Sequence, residues 1–590
     1  MNLIRLFRYL KKKDWMYAGV SLLFIVAQVG LELKLPDYMS EITKLVQTEG
    51  SAMSDVLTAG GMMLLCALGS LVSAFAVGFF VAQIAAGLSM RLREGIYDKV
   101  MGFTMEEIGK FSTASLITRS TNDITQVQMV VAIGLQASVR APIMAVWAII
   151  KIAGKSWQWT AVTAGAVVVL LAMILTIFML VIPKFTKIQT LTDNLNRVTR
   201  ENLSGIRVVR AYNAENYQEE KFDHANQELT STNLFTQRVM AIMSPGMTLI
   251  MSSLTLAIYW VGVYLIDAAQ MMDRINLFSE MVVFSSYAMQ VISAFVMLTM
   301  TMLVLPRAAV SAKRINEVLN TESKIKDGTV TDGKEEEAGR IVFQDVSFRY
   351  PDAADDILHH ISFTAEPGET VAIIGSTGSG KSTLINLIPR FYDATEGSVI
   401  VDGVNVRDYT QESLRDRIGY VSQRAILFSG TVRSNVAYGN NGETGQNESA
   451  LISAVQTAQA EEFVSEMEGT YEASIAQGGT NVSGGQRQRL SIARAVYRDP
   501  EIYIFDDSFS ALDYRTDRIL RKALREKTKG ATMLIVAQRI GTILDADKIL
   551  VLDEGKIVGM GRHKELMESC PVYREIAESQ LSKKELGYAG

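Results

Sequence analysis

Six apolar runs, each of roughly 20 residues or more, fill the first half of the chain: near Trp15 to Leu35, Leu57 to Leu88, Met129 to Ala153, Trp159 to Pro183, Met240 to Ile266 and Met281 to Leu305. Runs of this length cross a hydrocarbon core as α-helices, so the pattern predicts six membrane spans over 15–310. The segments between spans 2 and 3 (89–128) and between spans 4 and 5 (184–239) are long. They carry Arg91, Arg93, Lys99, Arg119, Lys187, Arg197, Arg200, Arg207 and Arg210, whereas the alternate loops hold little beyond Lys44, Lys155 and Arg274. Lys and Arg collect on the cytoplasmic side, which predicts a cytoplasmic N-terminus, two cytoplasmic loops and a cytoplasmic second half, in a multi-pass protein of the plasma membrane. Helical periodicity persists past the bilayer in "TLTDNLNRVTRENLSGIRVVRAYNAENYQEEKF", so the spans are expected to extend into water and to dock their tips on a cytosolic domain. The opening "MNLIRLFRYLKKKDW" is basic and amphipathic and reads as an interfacial helix over 1–14.

After Pro306 the pattern changes. A polar helical stretch and "TESKIKDGTVTDGKEEEAGR" form a linker over 311–339; "IVFQDVSFRY" then alternates as a strand and opens an α/β domain over 340–580, with a tail at 581–590. A net charge of -5 with no basic block interleaved with aromatics excludes a nucleic-acid partner. Two cysteines and four histidines supply neither a disulfide framework nor a zinc site. Inside the spans, an ionisable side chain costs about 2.5 to 3.5 kcal/mol on insertion, which singles out Glu32 and Arg140. Glu32, beside Lys34, is expected at the outer interface, the alternative being a substrate ligand; Arg140, deeper, is expected to line a polar cavity, to pair with an acid or to serve an interhelical structural role. Met297, Met300 and Met302 in span 6 read as an adaptable wall or as ordinary packing.

Two stretches carry the chemistry. "TVAIIGSTGSGKSTLINLI" gives a buried strand, a Gly-rich turn and an apolar helix, with Gly375, Gly380, Lys381 and Ser382 at phosphate-loop spacing. Its glycines let backbone N–H groups converge on phosphate, Lys381 reaches the terminal phosphates and the Ser382 hydroxyl suits Mg²⁺. "IYIFDDSFSALD" is an apolar strand ending in paired acids, Asp506 for the same Mg²⁺ and Asp507 for the water beside a γ-phosphate. The predicted ligands are therefore ATP and Mg²⁺.

Between them lies "NVSGGQRQRLSIARAV", and here the chain begins to resemble the ATP-binding cassette (ABC) transporters. "VSGGQ", ending in Ser483, Gly484, Gly485 and Gln486, is similar to their signature motif, with Val482 in place of the usual Leu. The resemblance covers the whole soluble half in order. It implies Tyr350 as an aromatic stacking on adenine and nucleotide contacts along the phosphate loop, Gly375, Ser376, Thr377, Gly378, Ser379, Gly380, Lys381, Ser382 and Thr383. It also implies Gln423 of "YVSQR" as a further Mg²⁺ contact that conveys nucleotide state to the spans, and Asp513 of "SALD" among the catalytic residues. Six spans ahead of the cassette resemble the exporter branch, which implies an all-α six-helix transmembrane domain followed by an α/β P-loop NTPase cassette with a helical subdomain. "FSTASLITRSTNDI" and "GIRVVRAYNAENYQ" resemble the coupling regions, implying cassette contacts around Ser115 to Asp123 and Arg210 to Tyr217.

Two positions depart from the family pattern. The general base there is usually Glu and a later histidine contacts the γ-phosphate; here they are Asp507 and Gln538. Glu to Asp withdraws the carboxylate by about 1.5 Å, and a misplacement of about 1 Å can cost on the order of 100-fold in rate. Gln538 hydrogen-bonds phosphate but offers no imidazole. The resemblance implies that each ATP lies between one subunit's phosphate loop and the other's signature. This chain's own loop would then build a degenerate site, while its signature completes a competent site on a second, non-identical half-transporter. The expectation is a heterodimeric translocase in the lipid bilayer exporting small amphiphilic drugs. Alternatives are a self-pairing chain in which Asp507 serves as base, a lipid or peptide exporter half, and a regulatory subunit that gates without transport.

Overall fold

The computed structural model describes residues 2–48, 51–153, 156–351, 353–440 and 447–581. They form two units, one of Met1–Met101 with Ser112–Thr321 and one of Gly102–Phe111 with Glu322–Gly590.

The first unit is helical. Span 1 is Lys12–Gln47, span 2 Met53–Met101, span 3 Thr113–Ala153, span 4 Trp157–Ser204, span 5 Glu215–Asp267 and span 6 Met271–Asn320. All six contain windows long and apolar enough to cross a membrane. The helices outrun those windows, as the continuing periodicity predicts: span 2 runs on to Met101, span 4 to Ser204 and span 6 to Asn320. The N-terminal stretch is not one helix over 1–14. Asn2–Leu6 is α-helical, Phe7–Tyr9 forms a 3₁₀ turn, and the chain restarts at Lys12 because the Asp14 carboxylate accepts the Lys11 N–H at 2.7 Å. Span 3 contains two π-helical turns, Arg119–Asp123 and Val130–Gly134.

The packed centre of the spans is apolar, with Trp159, Phe284 and Tyr287 fully buried. Met297 packs against it; the side chains of Met300 and Met302 lie outside those described. Glu32 is no simple interfacial residue. Arg140 Nη2 donates to both of its carboxylate oxygens at 2.8 Å, and Gln28 and Ser70 donate to Oε1 at 3.0 and 3.2 Å. The two costly charges of the spans thus offset each other.

The second unit begins with a helix, α1 (Met105–Lys110), held by a capping box in which the Thr104 N–H and hydroxyl both donate to Glu107. Glu107 also accepts the Lys324 N–H at 3.2 Å, and Glu106 pairs with the Lys324 amine. The segment that groups with the cassette is therefore Gly102–Phe111, upstream of the expected Ser115–Asp123, which groups with the spans.

Among the described residues twelve strands follow: β1 (Ile341–Phe348), β2 (Leu358–Ala365), β3 (Thr370–Gly375), β4 (Glu396–Val401), β5 (Val404–Asn405), β6 (Ile418–Val421), β7 (Gly430–Thr431), β8 (Ser474–Ile475), β9 (Ile502–Asp506), β10 (Thr532–Val536), β11 (Lys548–Asp553) and β12 (Lys556–Gly561). An antiparallel sheet runs β2-β1-β4-β5, and a second sheet runs β12-β11-β3-β10-β9-β6, parallel except for β12. β9 and β10 are buried at every residue, as strands covered on both faces must be, which is why they read as continuous apolar runs. A largely helical region lies between β6 and β9, ending in α3 (Gly484–Arg498).

Candidate functional site

The site is built at the carboxyl ends of β3, β10 and β9, three neighbouring parallel strands, where open α/β sheets bind ligands. The loop after β3 returns sharply into the helix α2 (Lys381–Asn386). Gly380 caps that helix at φ +93°, and a Cβ there would come within 2.8 Å of Leu358 and 3.2 Å of the Ile357 carbonyl, so no larger residue takes its place without a shift. Gly375 passes so close to the Leu552 carbonyl of β11 that a Cβ would stand 2.0 Å from it.

Lys381 folds its amine into the loop, donating to the Gly375 and Ser376 carbonyls at 3.0 and 2.6 Å and to Ser379 Oγ at 3.4 Å. Burial depresses the pKa of this ammonium, against the opposing pull of Asp507 and Asp506. A buried cation held only by carbonyl and hydroxyl oxygens in a glycine loop suits an incoming polyphosphate. Ser382 Oγ donates to Asp506 Oδ1 at 2.9 Å, so one hydroxyl and one carboxylate stand side by side, a hard-oxygen donor set that suits Mg²⁺ with water and phosphate completing it. Burial raises the Asp506 carboxyl, and the Asp507 charge adds to the rise against the Ser382 hydrogen bond and Lys381.

Asp507 follows β9 with φ +46°, and its N–H is held by the Val536 carbonyl. Its Oδ2 accepts two amide bonds, from Gln538 Nε2 at 2.9 Å and from Gln423 Nε2 at 3.3 Å. Burial raises this carboxyl too, while the Gln423 and Ser510 hydrogen bonds pull it down. Gln423 is thus joined to Asp507 rather than to the Ser382–Asp506 pair. Sequence reasoning assigned all three Asp507-centred residues but had no means to place their side chains on one oxygen.

Tyr350 reaches the loop from the other side, with its hydroxyl 3.0 Å from Thr383 Oγ1 and its ring edge-on to Tyr392 (5.3 Å) and Phe348 (4.9 Å). Tyr392, missed from the sequence, completes this aromatic group. Ser376, Thr377, Gly378 and Ser379 form the turn between β3 and α2.

The signature stands apart. Ser483 caps α3 (Gly484–Arg498), with its N–H bonded to Gln486 Oε1 at 2.8 Å and its Oγ accepting the Gln486 N–H. Ser483 and Gly484 are exposed, and Gly485 packs near the Ala511 carbonyl. Among the described residues, none of the hydrogen bonds of Ser483 or Gln486 goes to the phosphate loop. A capped helix N-terminus pointing outward is a free anion-binding end. Asp513 caps α4 (Tyr514–Lys527) through the Thr516 N–H at 3.0 Å, a bond that lowers its carboxyl.

Comparison with known proteins agrees with this geometry. The family model described as ABC transporter matches residues 358–510, and that described as ABC transporter transmembrane region matches 19–324. A Mycobacterium bovis protein, an uncharacterized ABC transporter ATP-binding protein, is 39% identical over 567 residues, 94% of either chain. An ATP-dependent lipid A-core flippase of Pseudomonas aeruginosa is 32% identical over 514 residues, 86% of this chain and 83% of its own. A bacterial Atm1-family ABC exporter solved with ATP bound has the same fold, with a TM-score of 0.79 over 96% of this chain and 98% of its own at 23% identity.

Proposed function

The chain belongs to the ABC transporter family, as an exporter half with six spans fused to a C-terminal cassette, and we propose that its own nucleotide site holds ATP while a non-identical partner half supplies the competent one. One observation carries this reading: Oδ2 of Asp507, the residue at the general-base position, is engaged by the amides of Gln538 and Gln423. Aspartate is already one methylene short of the usual glutamate. The two amide donors occupy Oδ2 and fix the carboxylate's orientation, so it is held back from an attacking water.

Binding is untouched by these losses. The loop amides and Lys381 would hold phosphates, Tyr350 would meet the base, and Ser382 with Asp506 would hold Mg²⁺, which would offset phosphate charge. The outward-facing N-terminus of α3, with Ser483 to Gln486, completes the partner's site, where a Glu base and a His perform most of the cleavage. ATP retained in the poor site keeps the cassettes together between cycles. The cassette is cytoplasmic, and closure around ATP turns the spans from inward-facing to outward-facing. Apolar span walls suit small amphiphilic cargo. A second reading, lipid export, is favoured by the similarity to the lipid A-core flippase.

The test is affinity purification of the tagged chain from its own membranes, followed by uptake of an amphiphilic cationic dye and of a fluorescent phospholipid into inside-out vesicles. The reading expects a stoichiometric companion carrying Glu where this chain has Asp507 and His where it has Gln538, and ATP-dependent dye uptake. Phospholipid uptake alone selects the lipid reading. Nucleotide-driven conformational change with neither cargo accumulating would make the chain a regulatory subunit instead.

A further inference from the structure

Between its middle and its far end at Gln47, span 1 carries Glu32, Asp37 and Ser40, each bonded across to span 3 or span 6. Glu32 takes Arg140 of span 3, as described. Asp37 Oδ2 accepts Lys151 Nζ of span 3 at 2.7 Å, and its Oδ1 accepts the hydroxyl of the buried Tyr287 of span 6 at 2.6 Å. Ser40 Oγ lies 2.5 Å from Ser279 Oγ of span 6. Near the opposite ends the bonding changes partners. Asp14 pairs with Arg91, joining spans 1 and 2, while Asp123 accepts Ser311 Oγ at 2.9 Å and Arg119 meets Glu317 at 2.9 Å, joining spans 3 and 6; Asn316 and Asn320 of span 6 also bond back to Asn2 and Arg8.

The two sets differ in exposure. The Asp14 and Asp123 side chains are 8% and 5% exposed, so parting from their partners would strand a buried charge. Asp37 and Lys151 are 41% and 36% exposed, so water can replace each for the other when the helices separate. The Asp37–Lys151 pair at the far end of this seam is therefore cheaper to break than the buried pairs near the opposite ends, whereas Glu32–Arg140, at 19% and 25% exposure, and the buried Tyr287 hydroxyl hold more firmly.

We propose that Asp37 is the positioning residue of an outer gate, a latch of Asp37, Lys151, Tyr287 and the Ser40–Ser279 contact that must open for cargo to leave. The proposal rests on the exporter reading and orientation above. Cargo moving outward needs the far ends of the spans to part, and these are the polar contacts that hold them. The latch sets how much of the differential energy of ATP binding is spent in reaching the outward-facing state.

Its test uses the full-length protein, in complex with any companion, bearing Ser40→Cys and Ser279→Cys; the native Cys66 and Cys570 are buried. Mild oxidation should join the two positions readily without nucleotide, read by mass spectrometry of the linked peptides. MgATP with vanadate should cut the yield at least about tenfold in samples whose cassettes take up 8-azido-ATP. Equal yields with and without MgATP in labelled samples would overturn the latch. Samples that take no azido label would sink the ATP-driven reading, and the latch with it. A second measurement needs only Ser40→Cys: Tyr287→Phe or Asp37→Asn should raise its nucleotide-free rate of maleimide labelling by about fivefold, and an unchanged rate in both variants also overturns the proposal.

Discussion

Asp507 Oδ2 receives two amide donors, and the chemistry of the nucleotide site turns on that one oxygen. If reach and donor type limit cleavage, restoring them should restore rate: Asp507→Glu is expected to raise ATP turnover of the purified chain by about tenfold or more, and the pair with Gln538→His further. No gain from either would place the limit elsewhere. Lys381 serves binding instead, so Lys381→Met should weaken ATP binding by on the order of tenfold or more, measured with a fluorescent nucleotide, with the fold unchanged by circular dichroism. Much of this site is legible in the sequence because its parts are contiguous. Gly375 to Thr383 and Ile502 to Asp507 carry strand, turn and ligands in a few residues each. The convergence on Asp507 is not legible, since Gln423, Asp507 and Gln538 are brought together only by the strand order β10-β9-β6.

At the scale of elements, a buried acid ties the linker to the cassette. Asp402 is completely buried, accepts the Gly339 N–H at 2.7 Å and faces Arg417 at 3.3 Å. Burial, with the Glu501 carboxyl beside it, pushes its pKa up to about 7 from 3.8. Because the folded value lies above the unfolded one, its contribution to stability is complete below pH 3.8 and is lost as pH rises through about 7. The melting temperature should therefore fall across that window, and Asp402→Asn should flatten the fall; an unaltered slope would assign it to other groups. The α1 capping box makes a local prediction. Glu107→Ala should cost α1 about 1 kcal/mol and speed amide exchange over 104–110, and undiminished protection would show that the box is dispensable. The box spans Thr104-x-x-Glu107 at the start of a short helix. The pairing of Glu32 with Arg140, 108 residues away, was not legible in the sequence, because hydrophobic periodicity marks which residues form a span but not which spans are neighbours.

At the scale of the whole molecule, a proposed nucleotide holder and an exposed signature helix are carried on one chain with six spans whose far ends share polar contacts. A holder of this kind drives transport only with a companion that cuts. Six spans and the cassette class were legible because length and motif each suffice on their own, whereas the proposed asymmetric assembly rests on side-chain chemistry at Asp507 and Gln538 alone. Replacing the companion's glutamate at the position of Asp507 by Gln should then abolish most turnover of the assembly, while Asp507→Asn removes little. The most direct measurement is steady-state ATP turnover by this chain purified alone in lipid nanodiscs. Tight ATP retention with slow, non-cooperative release of phosphate is expected; rapid, cooperative turnover by two identical copies would contradict the proposed asymmetry.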